Sequence, residues 1–225
     1  MNRPKTLLLL LLPALFAGCS FYRAPSSLPA SNYYYLNPNK DLFAVGGVAV
    51  VEMDNDSSYP EVSVDVTKAL FQALQKRQIF ALTLIPQSAP AWRSLQVQLN
   101  PAAPTQDRTF KLPATYSLEQ LLAIQKALKC NAVMLGTVTE YQPYPHMALG
   151  LRLKLIDLDD GQTIWAIEQV WNGADRTTEY RIKKYFRRQI RSGLAPLKEE
   201  LIVVSPVEFI RFVAFETAET LQPNY

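Results

Sequence analysis

Histidine occurs once in the 225 residues, as His146, and cysteine twice, as Cys19 and Cys130. A single histidine excludes a histidine-rich metal site and leaves any Ser-His-Asp triad resting on one residue. His146 sits between Pro145 and Met147 in an expected hairpin loop, with no nucleophile-elbow serine motif, and reads as a loop residue. Glycine numbers only eight, and Gly46-Gly47 is followed by neither Gly-rich spacing nor a Lys-Ser/Thr pair, which removes a phosphate loop. The acidic stretch Asp54-Asn55-Asp56 lacks the later ligands of a calcium loop. No metal or cofactor is expected. An excess of one charge is missing too. Of 23 basic residues, Arg3 and Lys5 fall within the first 18, leaving 21 against 20 acidic ones, so a globally basic nucleic-acid binder is not expected. At 48% hydrophobic and 19% charged, the chain is able to bury a core.

The N-terminus carries the clearest message. Met1 to Lys5 is basic, and Leu7 to Phe16 is apolar apart from Pro13. That run falls short of the roughly 20 residues a bilayer-spanning helix needs but suits a secretory signal. It ends in Phe16-Ala17-Gly18-Cys19, which resembles the bacterial lipobox, with Phe16 where Leu is usual. The resemblance implies cleavage after Gly18 and a palmitate-bearing, diacylated Cys19 held by outer-membrane lipid. Two or three acyl chains suffice for stable anchoring. An ordinary cleaved signal with an incidental cysteine is the alternative. With Cys19 lipidated, Cys130 has no partner in the chain, and beside Ala132-Val133-Met134-Leu135 it reads as a buried thiol.

The expected organisation is a signal peptide over 1–18, a tether over 19–43 and one α/β domain over 44–222. Pro25, Pro29 and Pro38 among serines mark the tether, while Tyr33-Tyr34-Tyr35 fits headgroup contact, packing on the domain or the start of an edge strand. Strands are expected at 45–53, 81–85, 94–99, 132–141, 148–158 and 163–172. Helical spacing marks 61–77. A capping box, Ser117 with Gln120, opens a helix whose buried stripe is Leu118, Leu121, Leu122 and Leu128. A basic helix is expected over 178–192, and a last helix begins at Ser205-Pro206 with Glu208 completing a capping box. The loop 100–113 is Pro-rich, and 197–204 is ambiguous. Asp160-Gly161 reads as a two-residue hairpin turn, which pairs Ile156 with Trp165 and Gly150 with Trp171. Leu149, Leu151, Leu153 and Leu155 then share one face. Arg152, Lys154, Trp165 and Trp171 share the other, too polar for a core and too aromatic for a bare surface. By strand alternation Asp157 points away from Asp159 and Asp160, which belong to the turn, so no carboxylate pair is expected.

The element order β-α-β-α-β-β-β-α gives a mixed sheet flanked by helices. The segment Ala127 to Tyr141, with Leu135-Gly136-Thr137-Val138, resembles a signature of the curli-secretion lipoprotein (CsgG-like) superfamily. Leu153 to Trp165 is similar to its following hairpin, and Val48 to Asn55 to its first strand. The resemblance implies an outer-membrane lipoprotein whose periplasmic domain assembles into rings or scaffolds for export, without enzymatic chemistry. Channel-forming members add membrane hairpins, whose strands need about 9–11 alternating residues. Only six residues, Gln142 to Met147, separate the candidate strands here. The chain therefore resembles members without a barrel, the PelC-type exopolysaccharide lipoproteins and the peptidoglycan-synthase activators.

Candidate interaction residues are Arg152, Lys154, Trp165 and Trp171 on the hairpin, the Phe-rich last helix, and the basic helix. The last carries Arg181, Lys184, Arg187, Arg188 and Arg191, with Ile182, Tyr185, Phe186 and Ile190 as its buried stripe. The basic arc is either a solvated face or a site for an anionic partner: acidic polysaccharide, lipid headgroups or an acidic rim on another subunit. Two functions are expected from this: a homo-oligomeric ring or scaffold subunit of an envelope export assembly, or a monomeric regulator that activates a peptidoglycan synthase.

Overall fold

The computed structural model describes residues 33–99, 116–191 and 205–221, with the backbone alone for 189–191. Gly18, Cys19, the loop 100–113 and the segment 197–204 lie outside the described residues. The strands are β1 (Tyr34–Leu36), β2 (Gly47–Val51), β3 (Asp54–Asn55), β4 (Ala81–Ile85), β5 (Ala132–Gln142), β6 (Ala148–Asp157) and β7 (Thr163–Asn172). They form one mixed sheet in the order β1-β7-β6-β5-β2-β4, with β3 also paired to β5. β2 runs parallel to β4 and β5, whereas β5, β6, β7 and β1 are antiparallel in succession. The described helices are α1 (Val62–Arg77), α2 (Pro90–Leu99), α3 (Leu118–Leu128), α4 (Arg176–Arg191) and α5 (Pro206–Glu219). The expected α/β class, a mixed sheet flanked by helices, is what the chain forms.

The sheet has helices on both faces. On one, Leu149, Leu151, Leu153 and Leu155 of β6 meet α1, α4 and α5. On the other, Ala49, Val51, Val133 and Leu135 meet α2 and α3. β5 shows why the two layers differ in extent. Its first seven residues, Ala132 to Val138, are buried without interruption, as a strand covered on both faces must be, and beyond Val138 burial alternates with exposure. Helix ends follow their caps. Ser117 and Gln120 form the expected reciprocal box, and Asp175 accepts from the backbone N–H and hydroxyl of Thr178, starting α4 at Arg176. Ser205 accepts from the N–H of Glu208, with Pro206 in the first turn.

Four expectations are corrected. Residues 94–99 are helical: Trp92, Leu95 and Leu99 repeat at i, i+3 and i+7 behind Pro90, and Val97, which the strand pattern needed inside, is 52% exposed. In α3 the buried stripe is Leu121, Ile124 and Leu128, while Leu118 and Leu122 face outward. The tether's end is corrected: of the three placements open to Tyr33-Tyr34-Tyr35 the edge strand is the one formed, with Tyr34–Leu36 pairing with β7 inside the stretch 19–43. Asn37 extends that ladder, its N–H donating to the carbonyl of Ile164.

The fourth correction concerns the hairpin. β6 and β7 are joined by a five-residue loop, Leu158 to Gln162, and Gly161 rather than a two-residue turn takes the left-handed conformation, at φ 73°. Leu158 is buried among the α3-side residues and its N–H donates to the Asn131 carbonyl, which draws the chain past a tight turn. The register shifts by one residue. Leu155 pairs with Trp165 and Leu149 with Trp171, so both tryptophans join the leucine face and are completely buried. A one-residue slip exchanges the two faces of a strand. Trp165→Ala and Trp171→Ala should each destabilise the full chain by about 3–5 kcal/mol in urea unfolding, against less than about 0.5 for Glu168→Ala on the outer face.

Candidate functional site

The inward tryptophans bring their own polar requirement, since a buried indole N–H needs an acceptor. Trp165 Nε1 donates to Oγ1 of Thr220, the C-cap of α5, at 3.1 Å, and Trp171 Nε1 to Oε2 of Glu216 within α5 at 2.8 Å. Arg181 also turns inward: its Nη1 lies 2.8 Å from the same Glu216 oxygen and its Nη2 donates to Thr178 Oγ1 at 3.2 Å. Burial pushes the Glu216 carboxyl up to about 7, against the pull of Arg181 and the indole hydrogen bond. Trp165, Trp171 and Arg181 therefore hold the fold together and are unavailable as contact residues. The Phe-rich α5 is likewise core, with Phe209 and Phe212 fully buried.

Arg152 and Lys154 do lie on the outer sheet face. Arg152 Nη2 pairs with Glu168 Oε1 at 2.6 Å across the hairpin, an exposed bridge of small energetic weight. Lys154 stands in a cross-strand row with Leu135, Ala166 and Tyr35. On α4, Lys184, Arg187 and Arg188 project from the side opposite Ile182 and Phe186, with no ion pair among the described residues, while Lys183 bonds Glu179. Arg191 closes the helix.

Sequence reasoning missed three arrangements. First, Lys40 Nζ bridges Asp157 Oδ2 at 2.7 Å and Asp160 Oδ2 at 2.6 Å, so these two carboxylates converge after all, on a cation from the segment following β1. Second, Asp54 is pushed up to about 7 by burial although Gln87 Nε2 donates to it at 3.0 Å, and Asp56 adds to the rise. Third, Tyr59, Pro60, Glu61, Val62, Asp65 and Tyr141 line an open cavity of about 220 Å³ where α1 begins. Its two tyrosine rings stand edge to face, 5.2 Å apart at 89°. Burial and the nearby Asp65 charge raise the Tyr141 hydroxyl above its ordinary value. The readable signal was a Tyr-Pro-Glu run at a helix start, directly after the polar loop 54–58, but its mate Tyr141 is 82 positions away.

His146 is exposed on the β5–β6 loop. Cys130 is buried, and burial raises its thiol above the ordinary value. Among the described residues no helix is long and apolar enough to cross a membrane, and no three His, Cys, Asp or Glu side chains are grouped to hold a metal.

No protein-family model matches the chain, and no curated protein does. Similar solved structures include a PelC dodecamer from Paraburkholderia phytofirmans, 13% identical with a TM-score of 0.42, covering 81% of this chain and 96% of that one. Lipoprotein GNA1162 from Neisseria meningitidis is 16% identical with a TM-score of 0.39, covering 67% of this chain and 99% of that one. The LpoB C-terminal domain from Salmonella enterica is 18% identical with a TM-score of 0.37, covering 56% of this chain and 82% of that one. The likeness is to PelC, and no family model stands behind the curli-secretion resemblance. Each of these TM-scores is below 0.5, and the functional reading below rests on this chain's own residues.

Glu216 gives a pH dependence with a definite sign. Unfolded, its carboxyl returns to about 4.5; folded, it titrates near 7. Between those values the folded state holds a proton that unfolding releases, so this carboxyl makes stability fall as pH rises through the window. Denaturant midpoints measured from pH 4.5 to 8 should decline for the natural chain and decline less for Glu216→Gln.

Proposed function

We propose that this protein is a non-catalytic outer-membrane lipoprotein, a ring or scaffold subunit of an envelope secretion or polymer-export assembly. The supporting observation is how the body receives the segment that follows the lipobox. β1 zips onto the edge strand β7, Asn37 Nδ2 donates to Gln162 Oε1 and to the Thr163 carbonyl, and Lys40 clamps Asp157 and Asp160. An acylated Cys19 would thus pull on a sheet edge rather than on a loose end.

The exposed chemistry suits binding. Arg152 and Lys154 occupy sheet surface, and Lys184, Arg187 and Arg188 give α4 an arc attractive to anionic partners, an acidic polysaccharide or an acidic protein surface included. Outer-membrane lipid reached through Cys19 and a homo-oligomeric or envelope-protein partner complete the reading; nucleic acid has no place in it.

Two measurements test it. Cys19→Ala should abolish acylation and remove the protein from the outer-membrane fraction; retention in that fraction refutes lipid anchoring. The full chain purified in detergent should sediment as a multimer. A strict monomer at high concentration rejects the ring and favours the alternative, a monomeric activator of a peptidoglycan synthase.

A further inference from the structure

The cavity at the start of α1 combines features that recognise a cation. Two tyrosine faces and edges form its apolar walls, and Glu61 and Asp65, one helical turn apart, stand at its rim. Both carboxylates are exposed and neither has an ion pair among the described residues. The N-terminus of α1 contributes a partial positive charge of about half a unit, which two carboxylates outweigh. Guanidinium and ammonium groups bind over aromatic rings, and a neighbouring carboxylate adds a Coulombic attraction. The volume of about 220 Å³ is below the ~300–1,000 Å³ of small-molecule pockets; it suits the end of one long side chain.

The same molecule displays the complementary surface. Tyr180, Lys184, Arg187 and Arg188 follow one another at i, i+4, i+7 and i+8 along α4; Tyr180 is 54% exposed, and both arginines are exposed. The two surfaces belong to different flanks of the helix layer, because α5 is tied to α1 by Arg77 and Glu219 and to α4 by Arg181 and Glu216. With α5 packed against both, neither surface serves the other within one chain.

We propose that the Tyr59/Tyr141 groove of one copy receives a basic side chain from α4 of the next. The contact is heterologous, groove to stripe, and such contacts close into rings or extend as filaments according to the rotation they impose. The proposal rests on the assembly reading above and supplies its interface.

Charge reversal tests it, using the full chain in detergent and sedimentation velocity over a range of concentrations. Asp65→Lys, and separately Arg187→Glu with Arg188→Glu, should each weaken self-association about tenfold or more. Combining all three should recover most of the loss. Tyr59→Ala should weaken association while leaving the urea midpoint within experimental error. Asp65→Asn gives the same reading with a smaller loss if Asp65→Lys fails to fold. Unchanged association in the single-sided variants, or no recovery in the combination, overturns this interface while leaving the assembly intact. A natural chain that stays monomeric throughout overturns both.

Discussion

The pairing of Leu155 with Trp165 and of Leu149 with Trp171 is the constraint on which the helix layer over this part of the sheet depends. It delivers two indoles to the face that α5 covers, and α5 is built to receive them. Thr220 and Glu216 are buried polar groups, unusual inside an apolar helix interface, and each accepts an indole N–H. Glu216 then draws Arg181 inward, which fixes α4 by a charge-assisted hydrogen bond in addition to Ile182 and Phe186. Removing either end of this chain would leave a buried polar group without its partner, at a cost of about 1–3 kcal/mol. The opposite edge of the hairpin carries β1 and the Lys40 clamp, so the same register also sets where the N-terminal segment joins the body.

Much of this fold is legible in the sequence because its signals are periodic. β7 spans the expected residues 163–172, β4 spans 81–85, and α1 begins one residue inside its expected start. What escaped was decided by competition between local patterns and distant contacts. Asp160-Gly161 is compatible with a tight turn or with a longer loop that has glycine in the left-handed position. Only the burial of Leu158 against α3 selects the second. Leu95, Val97 and Leu99 alternate like a strand, but a stretch of six residues carries both periods, and the helical one is completed by Trp92 behind Pro90. Leu118 and Leu122 look as apolar as Leu121 and Ile124; only the tertiary packing puts the second pair in the cluster with Val133, Leu135 and Leu158.

The candidate site was legible only in part for a related reason. A basic run announces itself, and Lys184, Arg187 and Arg188 do project outward. Nothing local distinguishes Arg181 from them, because its partner Glu216 lies 35 residues away on another helix. The tyrosine groove has the same character: Tyr59 and Tyr141 become neighbours only when β5 runs past the start of α1. Long-range juxtaposition is the part of a site that composition and spacing do not encode.

Buried carboxylates give the fold selectivity at a thermodynamic cost. Glu216 and Asp54 both titrate near 7 because burial disfavours their charged forms, and each is held by a specific donor, Trp171 and Gln87 respectively. An apolar replacement of similar volume could be as stable or more so. What it would lose is direction: an apolar α5 could slide along the leucine face, whereas Glu216 bonded to both Trp171 and Arg181 admits one placement. Charge on the outside follows the same division of labour. With 23 basic residues against 20 acidic ones the chain is close to neutral, so attraction to a partner depends on segregation, cations along α4 and acids at the start of α1, rather than on net charge. Segregated charge contributes less to raw affinity than to orientation and encounter rate.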